Sequence, residues 1–385
     1  MDWKVPLSDI DFGPEEIEGV KKVLTSKWLA TGEVTARFEK EFADFVGAKH
    51  AIAVSNCTAA LHLACHILGI GPGDEVILPS LTFVATANAV LYCGGTPVFA
   101  DITDERNLLI SADDVEKKIT SKTKAITVVH YGGYCCDMER FVNMTRARGL
   151  FLIEDAAHVP GGYFNGKHPG TFGEFGCFSF FPNKNMTTAE GGMLITDDDE
   201  LARKARPARS HGLTTMTWDR HRGHAYSYDV PTFGFNYRID EIRSSIGLAQ
   251  LMKLRPNNER RGFFASAYRR GLEGLDEISI PFKDRIGGSG KEKPSYHLFP
   301  ILVKDEATRN LLMEHLKKVG VQTSIHYPPI HLFSYYRSTF QLKEGLLPKT
   351  EHVSKRLLTL PLYGTMEEEQ VRYVIDSIKN FFGGK

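Results

Sequence analysis

The sequence carries no excess of either charge. Lys plus Arg equals Asp plus Glu at 47 each in 385 residues, so no global field draws the chain to nucleic acid or to an anionic membrane surface. That balance points to a small-molecule partner. No apolar run reaches ~18 residues, and the start MDWKVPLSDIDFG has no basic segment followed by an apolar one, so neither a membrane span nor a secretory leader is expected. A cytoplasmic location is the expectation. The six cysteines (Cys57, Cys65, Cys93, Cys135, Cys136, Cys177) include no Cys-x-x-Cys, and their spacing suggests no zinc framework, so no metal is expected. Buried free thiols are the default; the vicinal pair Cys135-Cys136 could be redox-active, although adjacent cysteines rarely meet disulfide geometry. Internal repeats and low-complexity segments are also missing.

What is present is typical of a globular protein, with 42% hydrophobic and 24% charged residues. The length suggests two domains. Ile17, Val20 and Leu24 follow Pro14 at helical spacing and predict an amphipathic helix, ending near Trp28-Leu29-Ala30-Thr31-Gly32. A second helix carries Phe38, Phe42 and Phe45 on one face. From there short apolar strands alternate with helices: strands at 51–54, 75–78, 97–100, 125–130 and 150–153, with helices at 58–68, 82–92, 112–119 and 138–147 between them. Such alternation predicts a mostly parallel sheet covered on both faces, with its ligand site at the carboxyl ends of the strands. A long polar segment, His211 to Phe235, follows a helix near 200–205, and helical patterns at 242–254 and 258–272 flank Pro256. The remainder, including a final helix with Val371, Val374 and Ile378 on one face, reads as a smaller α+β domain. The predicted division is 1–255 and 256–385.

Three strand ends carry chemistry. Gly176 to Thr196, GCFSFFPNKNMTTAEGGMLIT, reads as two strands joined by a turn that holds Lys184. Desolvation there would lower the lysine's pKa and free its amine to attack a carbonyl; the alternative is a solvated turn lysine. Ser55-Asn56-Cys57-Thr58 opens a helix and is either an anion site or an ordinary N-cap. Asp155 and His158, at the end of another strand, could be an acid/base pair, a metal site or a structural hydrogen bond. A reactive lysine, a strand-end carboxylate and an anion-binding helix start are together what a pyridoxal 5'-phosphate site requires.

The chain resembles the DegT/DnrJ/EryC1/StrS sugar aminotransferases of fold type I. The motifs that carry the resemblance run almost end to end: AVSNCTAALHLA from Ala53, PSLTFVATANAV from Pro79, IEDAAH from Ile153, FSFFPNKNMTTAEGG from Phe178, GFNYRIDEI from Gly234, HYPPIH from His326 and LPLY from Leu360. The resemblance implies a PLP-binding α/β domain with a mostly parallel seven-stranded sheet and a smaller C-terminal domain. It implies that Lys184 forms the Schiff base and shuttles the proton, that Asp155 binds the pyridine nitrogen, and that His158 sits near the phenolic oxygen. Phe83 would stack on the ring; Cys57, Thr58 and Ser179 would hold the phosphate; Asn236 would reach the phosphate of a neighbouring subunit. A homodimer with the active site at its interface follows from that last role. Arg238, His326 and Tyr327 are expected to face the substrate. Cys57 and Ala189 stand in place of glycines of the family pattern, and their small size predicts an unchanged backbone. The expected reaction transfers an amino group from an amino acid, glutamate, to a nucleotide-linked keto-deoxysugar, in polysaccharide or antibiotic biosynthesis. A keto-cyclitol acceptor and a non-catalytic regulatory homologue are the alternatives.

Overall fold

The computed structural model describes residues 3–215, 223, 227–288 and 290–383. Its centre is one seven-stranded sheet. The strands are β1 (His50–Val54), β2 (Glu75–Pro79), β3 (Thr96–Ala100), β4 (Thr123–Val129), β5 (Phe151–Asp155), β6 (Phe175–Ser179) and β7 (Gly192–Thr196), in the order β1-β7-β6-β5-β4-β2-β3. All neighbours pair in parallel except β7, which is antiparallel to β1 and β6. Both faces are covered, which is why these strands are apolar without alternation. On one side β1 and β2 pack through Ile52, Val76 and Leu78 against Leu61 and Leu63 of α3 (Cys57–Ile67) and Val90 of α4 (Ala85–Tyr92). On the other, Ile126 and Val128 meet Val115 of α5 (Ala112–Lys118) and Phe141 of α6 (Met138–Arg148).

Register decides where the chemistry lies. Val54, Gly192 and Ser179 stand side by side across β1, β7 and β6, and Val129, Asp155 and Cys177 across β4, β5 and β6. The polar ends of β1, β5 and β6 are thereby gathered at one edge.

Two expectations about helices need correction. In α1 (Pro14–Ser26) the buried residues are Glu16 and Val23, whereas Ile17 and Leu24 are 69% and 53% exposed. The apolar stripe faces away from this chain because Glu16 is the anchor: it accepts from Gln250 and Lys253 and from Gly13 N. Furthermore, the two patterns around Pro256 form one helix, which we label α8 (Glu241–Gly271), following α7 (Asp199–Ala208). A mid-helix proline costs about 3 kcal/mol. Burial on both sides of it outweighs that cost, with Leu251 and Leu254 before and Phe264, Ala265 and Tyr268 after.

The C-terminal part pairs β8 (Phe299–Leu302) with β9 (Leu357–Leu360). Against β9 packs α9 (Glu306–Lys318), flanked by α11 (Pro348–Arg356) and α12 (Glu368–Gly383), whereas α10 (Ser334–Phe340) packs through Tyr336 against Phe99 of β3. Val371, Val374 and Ile378 of α12 are buried as their spacing predicts.

Candidate active site

A cavity of 490 Å³ opens at the carboxyl ends of β1, β5 and β6. Nine of the residues singled out from the sequence line it: Cys57, Thr58, Phe83, Asp155, His158, Ser179, Lys184, His326 and Tyr327. Asn236 and Arg238 do not. Asn236 is exposed and bridges Ser210, while Arg238 pairs with Val54 and donates to Ser210 Oγ at 3.1 Å. The segment His211 to Phe235 lies partly outside the described residues, at 216–222 and 224–226.

The helix start after β1 presents backbone donors to the cavity. Asn56 caps α3 by accepting from Ala59 N at 2.9 Å, and its carbonyl takes Ala60 N. The first-turn N–H groups of Cys57 and Thr58 have no intrahelical acceptor and are left for a ligand. β7 begins against this turn so closely that a Cβ on Gly192 would lie 2.6 Å from the carbonyl carbon of Asn56 and 2.7 Å from Cys57 N. Only glycine lets strand and helix start meet. Burial, with Asp155 adding to it, pushes the Cys57 thiol up. It therefore lines the site as a neutral group with little nucleophilicity.

Lys184 sits on the loop after β6, held from behind. Its N–H bonds Phe181 O, Thr188 N bonds Phe180 O, and Asn185 donates to Asn258 and Ser295 O. Its Nζ has no hydrogen-bond acceptor among the described residues. Desolvation brings its pKa from 10.5 to about 8 against the upward pull of Asp155 and Cys57. Asp155 responds in the opposite sense: burial raises its carboxyl, and Thr86, Ala157 N and Lys184 pull it back. Thr86 Oγ1 donates to Asp155 Oδ2 at 2.7 Å, and Ala157 N to Oδ1 at 3.2 Å.

His158 uses both ring nitrogens. Nδ1 accepts from Gly132 N at 3.3 Å, so in the neutral ring Nε2 donates to Tyr327 Oη, 3.1 Å away. Burial and the charge of Lys184 hold it well below the usual imidazole range, which keeps it neutral. The structural hydrogen bond left open in the sequence is therefore present. It fixes Tyr327; the neighbouring His326 bonds Thr359 at 3.1 Å through its ring and accepts from the Tyr131 hydroxyl at its backbone carbonyl. Burial lowers His326 to about 4. Phe83 is 58% exposed on the cavity wall, not in the core, because α4 begins two residues after it.

Reading the sequence did not find Thr86, Phe181, Asn183 or Glu190. The last three flank Lys184 in the same loop and all line the cavity; Thr86 lies one helical turn beyond Phe83, the only signal it carries. The backbone at Ala189 bears a cost as well. Its φ is 67°, in the left-handed region, with its N–H on Thr187 Oγ1. Ala189→Gly is expected to stabilise the protein by up to about 1 kcal/mol, the relief of left-handed strain less the extra entropy of glycine when unfolded. Chemical denaturation of the two proteins checks this.

These groups fit pyridoxal phosphate. Two N–H groups unpaired among the described residues, with the Thr58 and Ser179 hydroxyls, suit a phosphate, a buried carboxylate suits a pyridinium, and an amine near pKa 8 with no acceptor among those residues suits an aldehyde. Comparison with known proteins agrees. The sequence model of the DegT/DnrJ/EryC1/StrS aminotransferase family matches residues 11–379. The spore coat polysaccharide biosynthesis protein SpsC of Bacillus subtilis is 40% identical, across 100% of this chain and 97% of that protein. Among solved structures, Helicobacter pylori PseC, an aminotransferase involved in the biosynthesis of pseudoaminic acid, superposes with a TM-score of 0.91 at 30% identity, covering 100% of each chain. Streptococcus pneumoniae Spr1654 in its PMP form gives 0.91 at 28% identity, covering 99% of this chain and 100% of that one.

Proposed function

The chain belongs to the DegT/DnrJ/EryC1/StrS aminotransferase family, whose members are pyridoxal-phosphate-dependent sugar transaminases, and from that premise we propose that it moves an amino group from glutamate to a nucleotide-linked keto-deoxysugar. The observation that carries the reading is Lys184, a lysine with a pKa of about 8 set between a buried carboxylate and an open helix start in one cavity.

Bound pyridoxal phosphate supplies an aldehyde for covalent attachment and a ring that withdraws electrons from the substrate carbon next to nitrogen. The protein supplies the rest. Lys184 Nζ is the amine that would hold the cofactor and, when free, would take and return the proton at that carbon. Asp155 would hold the proton of the ring nitrogen. The N–H groups of Cys57 and Thr58, with the Thr58 and Ser179 hydroxyls, would bind the phosphate, and Phe83 would cover the ring. His158 orients Tyr327 through the Nε2 to Oη bond.

A homodimer in the cytoplasm belongs to the same proposal. Asn236 is exposed, as a residue reaching a second copy must be, and the outward apolar stripe of α1 supports a covered face. The test is spectroscopic. Protein loaded with the cofactor should show a visible band that glutamate bleaches with release of 2-oxoglutarate. UDP- or dTDP-linked 4-keto-6-deoxyglucose should then restore it. Restoration by free scyllo-inosose alone would move the assignment to a keto-cyclitol, and no band after loading would refute the enzyme.

A further inference from the structure

We propose that Phe181 and Glu190, on either side of Lys184 in one loop, form the acceptor subsite and recognise an uncharged polyhydroxylated ring by its C–H face and its hydroxyls. This rests on the transaminase reading of the cavity.

Elimination points to these residues. The other polar walls of the cavity are engaged: Asp155 by Thr86 and Ala157, His158 by Gly132 and Tyr327, His326 by Thr359, and Thr82 by Thr86. Lys184, the α3 start and Ser179 answer to the cofactor. Phe181, Asn183 and Glu190 remain. Phe180 is in the core at 0% exposure, whereas its successor Phe181 is 46% exposed and lines the cavity. An aromatic ring open inside a cavity gains free energy when a ligand's apolar face covers it.

Glu190 is held by its backbone and free at its side chain. Its carbonyl accepts from Thr188 Oγ1 at 3.0 Å and Arg243 Nη1 at 3.3 Å, between the left-handed Ala189 and a glycine whose Cβ would lie 2.0 Å from Thr188 Oγ1. Among the described residues its carboxylate has no hydrogen-bond or ion-pair partner. A carboxylate accepts strongly from hydroxyls and repels phosphates and carboxylates. The only ammonium or guanidinium group lining the cavity among the described residues is that of Lys184. A sugar ring matches this wall, and a diphosphate attached to it lies away from Glu190. Asn183, whose Oδ1 is buried without a partner among the described residues, lies in the same loop.

Single-turnover measurements of the two half-reactions test the subsite. Glutamate is used with the pyridoxal form, and dTDP- or UDP-linked 4-keto-6-deoxyglucose with the amine form. Phe181→Ala and Glu190→Gln should each weaken the acceptor half-reaction about tenfold more than the donor half-reaction, mainly through the concentration of sugar needed for half-saturation. Equal effects on both halves, or none on the acceptor half, would overturn the subsite. A wild-type protein that yields no 2-oxoglutarate from glutamate would overturn the transaminase reading itself and the subsite with it.

Discussion

Replacing Lys184 by alanine is expected to abolish covalent retention of pyridoxal phosphate and lower turnover by at least about 10⁴-fold, since it removes both the nucleophile and the proton carrier. Lys184→Arg should do the same despite keeping the charge, because guanidinium is not free to attack. Borohydride treatment followed by peptide mass analysis checks the attachment: wild-type protein should carry the cofactor's mass on the peptide containing Lys184, and both variants should not. The pH dependence follows from the desolvated amine. With a pKa near 8 in place of 10.5, roughly a tenth of the amine is neutral at pH 7, about 300-fold more than for an ordinary lysine. Protonation removes the nucleophile, so reaction of cofactor-free protein with pyridoxal phosphate should rise about tenfold per pH unit up to pH 8 and level off above it. A rise continuing to pH 10 would show that burial does not set the amine's reactivity.

The second large effect is on stability. Glu154 is fully buried beside Asp155 and accepts four hydrogen bonds, from His130 Nε2 at 2.9 Å, Gly170 N at 2.7 Å, Phe172 N at 2.7 Å and Gly173 N at 2.8 Å. His130 Nδ1 accepts from Cys136 N, so Nε2 carries the donated proton. One carboxylate thus ties residues 170–173 and the end of β4 to β5. Glu154→Ala would leave four donors unpaired, two of them buried, and should cost about 3–5 kcal/mol. Glu154→Gln, which keeps shape and one acceptor oxygen, should cost less. Chemical denaturation orders the variants, and equal stability of Glu154→Ala and wild type would refute the role. Because Asp155 follows directly, the alanine variant should also bind cofactor more weakly.

The sheet and the three strand-end motifs were legible because each is local. A buried parallel strand needs an unbroken apolar run, a helix start needs its cap, and Lys184 between two strands needs only a turn. The sequence could not tell which way α1 turns its apolar stripe, since that depends on Glu16 finding Gln250 and Lys253 over 230 residues away. Nor could it carry α8 through Pro256, where a local penalty is met by burial at distant contacts. Residue types and their order by themselves determined the α/β fold and placed a lysine, a carboxylate and a helix start at the strand ends. Only the tertiary structure decided that Asp155 leans on Thr86, that His158 serves Tyr327, and that Phe181 and Glu190 remain open, because register and long-range hydrogen bonds, not spacing, settle which polar groups are satisfied and which are left for a substrate.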